Sequence, residues 1–180
     1  MISKATGWQQ DALQERNGRL KGNVRAVMNW AALEEHDAVL DLFCGDGIML
    51  DRISKSIRLY SCGMCSDPGQ ARAVRESLTD ADIVYGSCED IPWRNNAFDV
   101  ILGSEMIRRS KIETALREIN RVLRPGGQVV LVTKLTDSRS DDIPGKNEVM
   151  RLMQANGFEN VSWRMSCLHG VAIGWKKKKE

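Results

Sequence analysis

Apolar positions along the 180-residue chain fall into two patterns that take turns. Short unbroken runs suit buried strands, and stretches with apolar residues three and four apart suit helices. The run Ala38-Val39-Leu40-Asp41-Leu42-Phe43 ends in Cys44-Gly45-Asp46-Gly47, a strand entering a glycine turn. Residues 48–57 follow as a helix, with Leu50, Ile53 and Ile57 on one face. Further strands are expected at 58–65, 82–85, 98–102 and 129–132. Helices are expected at 68–78, with proline in the first turn, and at 111–123. In the second of these Ile112, Ala115, Leu116, Ile119 and Leu123 share a face, and Arg124-Pro125-Gly126-Gly127 stops it. A last helix at 147–156 closes on Gly157 as a left-handed cap. Strands at 158–164 and 170–175 come next, and the few residues between them allow only an antiparallel pair. Residues 6–35 carry a helical pattern that Gly18 and Gly22 interrupt.

Strands alternating with helices predict an α/β fold with a mostly parallel sheet and helices on both faces. The length fits one globular domain, read as an N-terminal helical segment at 1–35 and a main domain at 36–180. Hydrophobic residues make up 42% and charged residues 28%, which excludes a disordered chain. Lys and Arg number 26 against 24 Asp and Glu, a net charge of +2, so a strongly basic nucleic-acid module is not expected. No apolar run approaches the ~20 residues that span a bilayer. The first residues lack the apolar block of a signal peptide, and the five cysteines are odd in number and unevenly spaced. A cytoplasmic protein with reduced thiols and no membrane partner is expected. Lys176 to Lys179 reads as a solvated basic tail.

Ligands of open parallel sheets bind beyond the carboxyl ends of the strands. A dinucleotide needs G-x-G-x-x-G opening a helix. Here the turn holds only Gly45 and Gly47, and Asp46 sets a negative charge where a pyrophosphate would lie. A cationic ligand suffers no such repulsion.

The segment 39–47 resembles the first motif of the class I S-adenosylmethionine-dependent methyltransferases. Glu89-Asp90-Ile91-Pro92-Trp93 with Asn96-Ala97-Phe98-Asp99-Val100-Ile101 resembles a second stretch of the small-molecule branch of that family. Residues 115–127 resemble its helix-and-turn motif, and 157–161 the start of its sixth strand. The resemblance implies a Rossmann-like three-layer sandwich with seven strands in the order 3-2-1-4-5-7-6, the last antiparallel. It implies S-adenosylmethionine as cofactor and a methyl acceptor, a small molecule by preference. Cofactor contacts are expected from Asp41, Phe43, Cys44, Gly45 and Gly47, from Cys65, Ser66 and Asp67, from Ser87, Cys88 and Glu89, and from Gly103 and Ser104. Glu105, Arg108, Arg109 and Trp8 are candidates on the substrate side, Trp8 on a candidate lid. No catalytic base and no metal ligand are assigned.

Three positions depart from the family pattern. Phe43 stands where glycine is usual. Cys65 stands where an acid accepts from the ribose hydroxyls, and a thiol is a weak acceptor. Ser87 stands where an aspartate often meets the adenine amino group. Asp67 is the nearby acid able to take the ribose role. A fold retained as a binding or regulatory module without catalysis is the alternative reading. Cys44, Cys65 and Cys88 fall at neighbouring strand ends, and Cys62 and Cys65 form a C-x-x-C pattern. Small apolar packing is the simpler role for them.

Overall fold

The computed structural model describes residues 27, 29–103, 108–134, 142–166 and 169–178. The elements run β1 (Ala38–Asp41), α1 (Ile48–Ser56), β2 (Tyr60–Cys65), α2 (Pro68–Ser77), β3 (Ala81–Tyr85), β4 (Phe98–Gly103), α3 (Ile112–Val122), β5 (Leu123–Lys134), α4 (Lys146–Ala155), β6 (Phe158–Ser166) and β7 (His169–Lys176). The seven strands form one sheet in the order β3-β2-β1-β4-β5-β7-β6. Pairs from β3 to β5 are parallel. β7 is antiparallel to both β5 and β6, so the expected terminal hairpin is present and its second strand is inserted into the sheet.

Alternation along the strands sends neighbours to opposite faces. Leu40, Ile101, Val129 and Leu131 meet Leu116 and Ile119 of α3 and Met153 of α4. Val39, Val100, Leu102 and Val130 meet Met49 and Ile53 of α1, with Val27, Ala31 and Leu33. A smaller cluster joins Cys44, Leu50, Cys65, Ala71, Val74 and Ile83 beneath α1 and α2. The crossovers β1–β2 and β2–β3 thus lie on one face and β4–β5 on the other. The chain changes sides between β3 and β4, which leaves a crevice above β1 and β4.

The expected stop at 124–127 ends the helix but not the strand. Phe98 pairs with Leu123 and Val100 with Gln128, so residues 124–127 loop out opposite Asp99, whose carboxylate takes two bonds from Arg124 Nη1 at 2.7 and 2.6 Å. Gly157 has φ +85°, as the left-handed cap requires. The helical reading of residues 6–35 runs too far. Ala31 to Glu34 are irregular, because Gln128 of β5 accepts from Ala32 N at 2.7 Å and donates to Trp30 O at 3.2 Å. Residues 1–26, Trp8 among them, lie outside the described residues.

Lys176 is not part of a solvated tail. Its Nζ donates to Asn120 O and Leu123 O at 2.7 and 2.8 Å, neutralising carbonyls at the α3 C-terminus. No described helix is long and apolar enough to cross a membrane.

Candidate functional site

β1 ends where Asp41, 1% exposed, accepts from Phe43 N at 3.2 Å. The chain then turns through Gly45 and Gly47, with φ of +53° and +76°. A side chain at Gly45 would meet open space apart from Phe43 O at 3.8 Å, so a ligand can approach the backbone there. A side chain at Gly47 would lie 2.8 Å from Val74 and Leu78, so this glycine lets the start of α1 pack closely against α2. Cys44 N donates to Met64 O at 3.0 Å, tying the turn to β2.

A cleft of about 580 Å³ opens at the carboxyl ends of β1, β2 and β3, facing the entry to α3. Leu42, Phe43, Met64, Ser66, Tyr85, Gly86, Ser87, Cys88, Asp90, Pro92, Arg108 and Lys111 line it. Of the expected site residues, Phe43, Ser66, Ser87, Cys88 and Arg108 are brought to this wall. Asp41, Cys44, Gly45, Gly47, Cys65, Asp67, Glu89, Gly103 and Arg109 are not among its lining residues. Ser104 and Glu105 lie outside the described residues. Sequence reasoning missed Tyr85 and Lys111. The signals were an aromatic at the last position of β3, 60% exposed, and a cation at the entry to α3.

The Lys111 ammonium pairs with the Glu89 carboxylate, joining the β3 side of the mouth to the start of α3. That hydrogen bond holds Lys111 above its ordinary pKa. Arg108 Nη1 bonds Asp142 at 2.8 Å, and Arg109 bonds Glu148 at 3.1 Å and Ile143 O at 3.1 Å. Both arginines therefore brace the segment before α4. Asp67 accepts from Gln70 N at 2.7 Å as the N-cap of α2, so its carboxylate is engaged in starting a helix. Ser87 Oγ accepts from Glu89 N at 3.3 Å within its own turn.

One pair of cysteines departs from the expectation of reduced thiols. Cys44 and Cys65 form a disulfide, their Cα atoms 5.6 Å apart. Adjacent parallel strands with matching ends supply that spacing, which lies within the bonding range; counting cysteines along the chain does not reveal it. The C-x-x-C pattern is split, because residues three apart on a strand point to opposite faces. Cys62 packs on the α3 side and Cys65 on the α1–α2 side. Cys62 and Cys88 are free, and Cys167 lies outside the described residues. Burial, helped by the Asp82 charge, pushes the Cys62 thiol up to about 11. Burial, then the Glu89 charge, raises that of Cys88. Among the described residues no cluster of three or more His, Cys, Asp or Glu side chains is placed to hold a metal ion.

The connection from β3 to β4 is fixed from α3. Arg121 donates to Ile91 O and Trp93 O, both at 2.8 Å, and to Asn95 Oδ1 at 3.0 Å. Glu118 pairs with Arg121 at 2.7 Å and accepts from Ile91 N at 2.9 Å. Trp93 packs edge-on against Phe98, their centroids 5.4 Å apart. These contacts hold the strip from Ser87 to Pro92 that walls the cleft.

A family profile described as a methyltransferase domain matches residues 40–131, a little over half of the chain. The chain belongs to the methyltransferase family. This methyltransferase is 26% identical, over an alignment 198 positions long with its gaps, to the demethylmenaquinone methyltransferase of Staphylococcus aureus, with 86% of this chain and 82% of the relative covered. In fold it is similar to a TehB-like SAM-dependent methyltransferase from Corynebacterium glutamicum, with TM-score 0.71 and 19% identity over 97% of this chain and 96% of the other. It is also similar to the cyclase SpnF, with TM-score 0.75 and 16% identity over 92% and 86%. A cyclase on the same architecture shows that the fold alone does not set the reaction.

Proposed function

We propose that this methyltransferase uses S-adenosylmethionine to methylate a small-molecule acceptor. One coincidence carries the reading: every residue lining the cleft, from Leu42 to Lys111, falls inside the matched family segment. The residues present fit the cofactor. The turn at Gly45 leaves open space where a side chain would stand, Ser66 lines the cleft just after β2, and Ser87 and Cys88 wall it after β3.

When bound, the cofactor supplies a methyl group already activated on a sulfonium centre. The task left to the chain is binding, alignment and exclusion of water. Phe43, Tyr85 and Pro92 give apolar surface for flat groups, and Ser66 offers a neutral hydrogen bond beside the carboxylate that Cys65 lacks. Neutral bonds are weaker than charge-assisted ones, so the cofactor is held less tightly than by a site with the acid. The volume suits a small molecule, and the likeness to a demethylmenaquinone methyltransferase supports that class of acceptor.

Calorimetry on the reduced protein tests the reading with S-adenosylhomocysteine, and with NAD as control. Micromolar binding of the first and no heat from the second are expected. No binding at millimolar S-adenosylhomocysteine would overturn the reading and leave the fold as a non-catalytic binding module.

A further inference from the structure

We propose that the Cys44–Cys65 bond is a redox switch that locks the glycine turn against β2 and so holds Phe43 and Ser66 in place on the cofactor side of the cleft; the cofactor part rests on the methyltransferase reading above. The bond joins the turn after β1 to the end of β2, and Cys65 Sγ lies 4.0 Å from Gly45 O. The cleft is lined by Phe43 and Ser66, the chain neighbours of the two cysteines, but not by Gly45 or Cys65. In the bonded form Cys44 and Cys65 pack with Leu50, Ala71, Val74 and Ile83, so the turn is anchored to the apolar layer beneath it.

Gly45 has room around it and gives the turn a place to lift once the bond is cut. The two free described cysteines are poor competitors. The Cys62 thiol is pushed up to about 11 by burial, and Cys88 is also raised by burial, so both stay protonated and weakly nucleophilic. Cys62 also packs on the opposite face of β2 from Cys65, which keeps it from the bonded pair.

The chemistry needs a peroxide and a dithiol reductant. One thiol attacks the peroxide, the O–O bond breaks, and a sulfenic acid and one water form. The second thiol then attacks that sulfur, the S–S bond forms, and a second water leaves. A dithiol reverses this by two exchanges, ending as its own disulfide.

The full chain is treated with hydrogen peroxide or dithiothreitol, then alkylated and mapped by mass spectrometry. Peroxide is expected to give a peptide linked through Cys44 and Cys65, and dithiothreitol to remove it. Hydrogen exchange of the 43–47 amides should slow about tenfold in the bonded form, and S-adenosylhomocysteine should bind it about tenfold more tightly, as when the competent fraction of the reduced form is one tenth. Cys44→Ala should show one affinity under both treatments. No linked peptide, or equal exchange of the turn in both forms, would overturn the switch. If S-adenosylhomocysteine binds neither form, the methyltransferase reading fails, while the exchange rates still decide whether the bond locks the turn.

Discussion

At the β1–β2 end of the cleft the backbone is held by a covalent bond inside a small apolar cluster. At the β3–β4 end it is held by Glu118 and Arg121, which reach from α3 to the Ile91 and Trp93 backbone. The first restraint answers to redox potential and ignores pH and salt. The second answers to pH and salt and ignores redox potential. One cleft therefore has two walls that can be loosened independently, and variants at one end leave the other as an internal control.

The largest expected effect is at the cysteine end. Cys44 and Cys65 are 21 residues apart, and closing a loop of that order stabilises by about 3 kcal/mol in the chain-entropy picture. Urea unfolding with and without dithiothreitol should differ by that amount, and Cys44→Ala should erase the difference. At the other end, Arg121→Ala removes bonds to two backbone carbonyls, the Asn95 side-chain amide and a carboxylate. The guanidinium is partly solvated, so a loss of about 2 kcal/mol is expected rather than the sum of its bonds. Trp93 fluorescence should change with it, and Arg121→Lys should recover only part, because an ammonium lacks the planar fork.

A smaller effect is expected at Asp67. Asp67→Ala removes the α2 cap and should cost about 1 kcal/mol. If Asp67 also held the ribose, S-adenosylhomocysteine affinity would fall beyond what the lost stability explains; unchanged affinity would confine it to capping. The smallest effect concerns acid. Glu118 lies below its ordinary value of 4.5, first through its hydrogen bond from Arg121. A depressed carboxylate adds stability above the unfolded value and loses it as pH falls through the folded one. Thermal melts from pH 7 to 3 should therefore show a steeper decline below about 4.5 in the parent than in Glu118→Gln. Asp37, raised chiefly by burial, acts in the opposite sense in both proteins and cancels in the comparison.

The strand order was legible because the motif order and the short β6–β7 connection both pointed to it. Helix faces were legible from spacing, as at Leu116 and Ile119. The site was legible mainly as far as strand ends are: Phe43, Ser66, Ser87 and Cys88 line the cleft, as Arg108 does, while the acids near α4 that hold Arg108 and Arg109 were hidden by sequence separation. Cys62 and Cys65 looked like a pair by number, yet pleating sets them on opposite faces. The partner of Cys65 was 21 residues back, at a neighbouring strand end that the sequence reading had located but filled with small apolar packing rather than a bond. Glu118 and Arg121 read as an ordinary charged helix surface, because nothing in their own segment names the loop they hold.

The place of β7 has a consequence for how the chain is made. It fills the slot between β5 and β6, although it follows both in sequence, and most of its residues are buried. On a ribosome, where domains emerge from their N-terminal end, β5 and the edge of β6 leave the exit tunnel with their backbone groups open. Until residues 169–176 follow, two strand edges face each other across a gap, in the form most prone to pair with a neighbouring chain. The nascent protein thus carries its greatest hazard of misassembly at the moment when nearly all of its helices are already in hand.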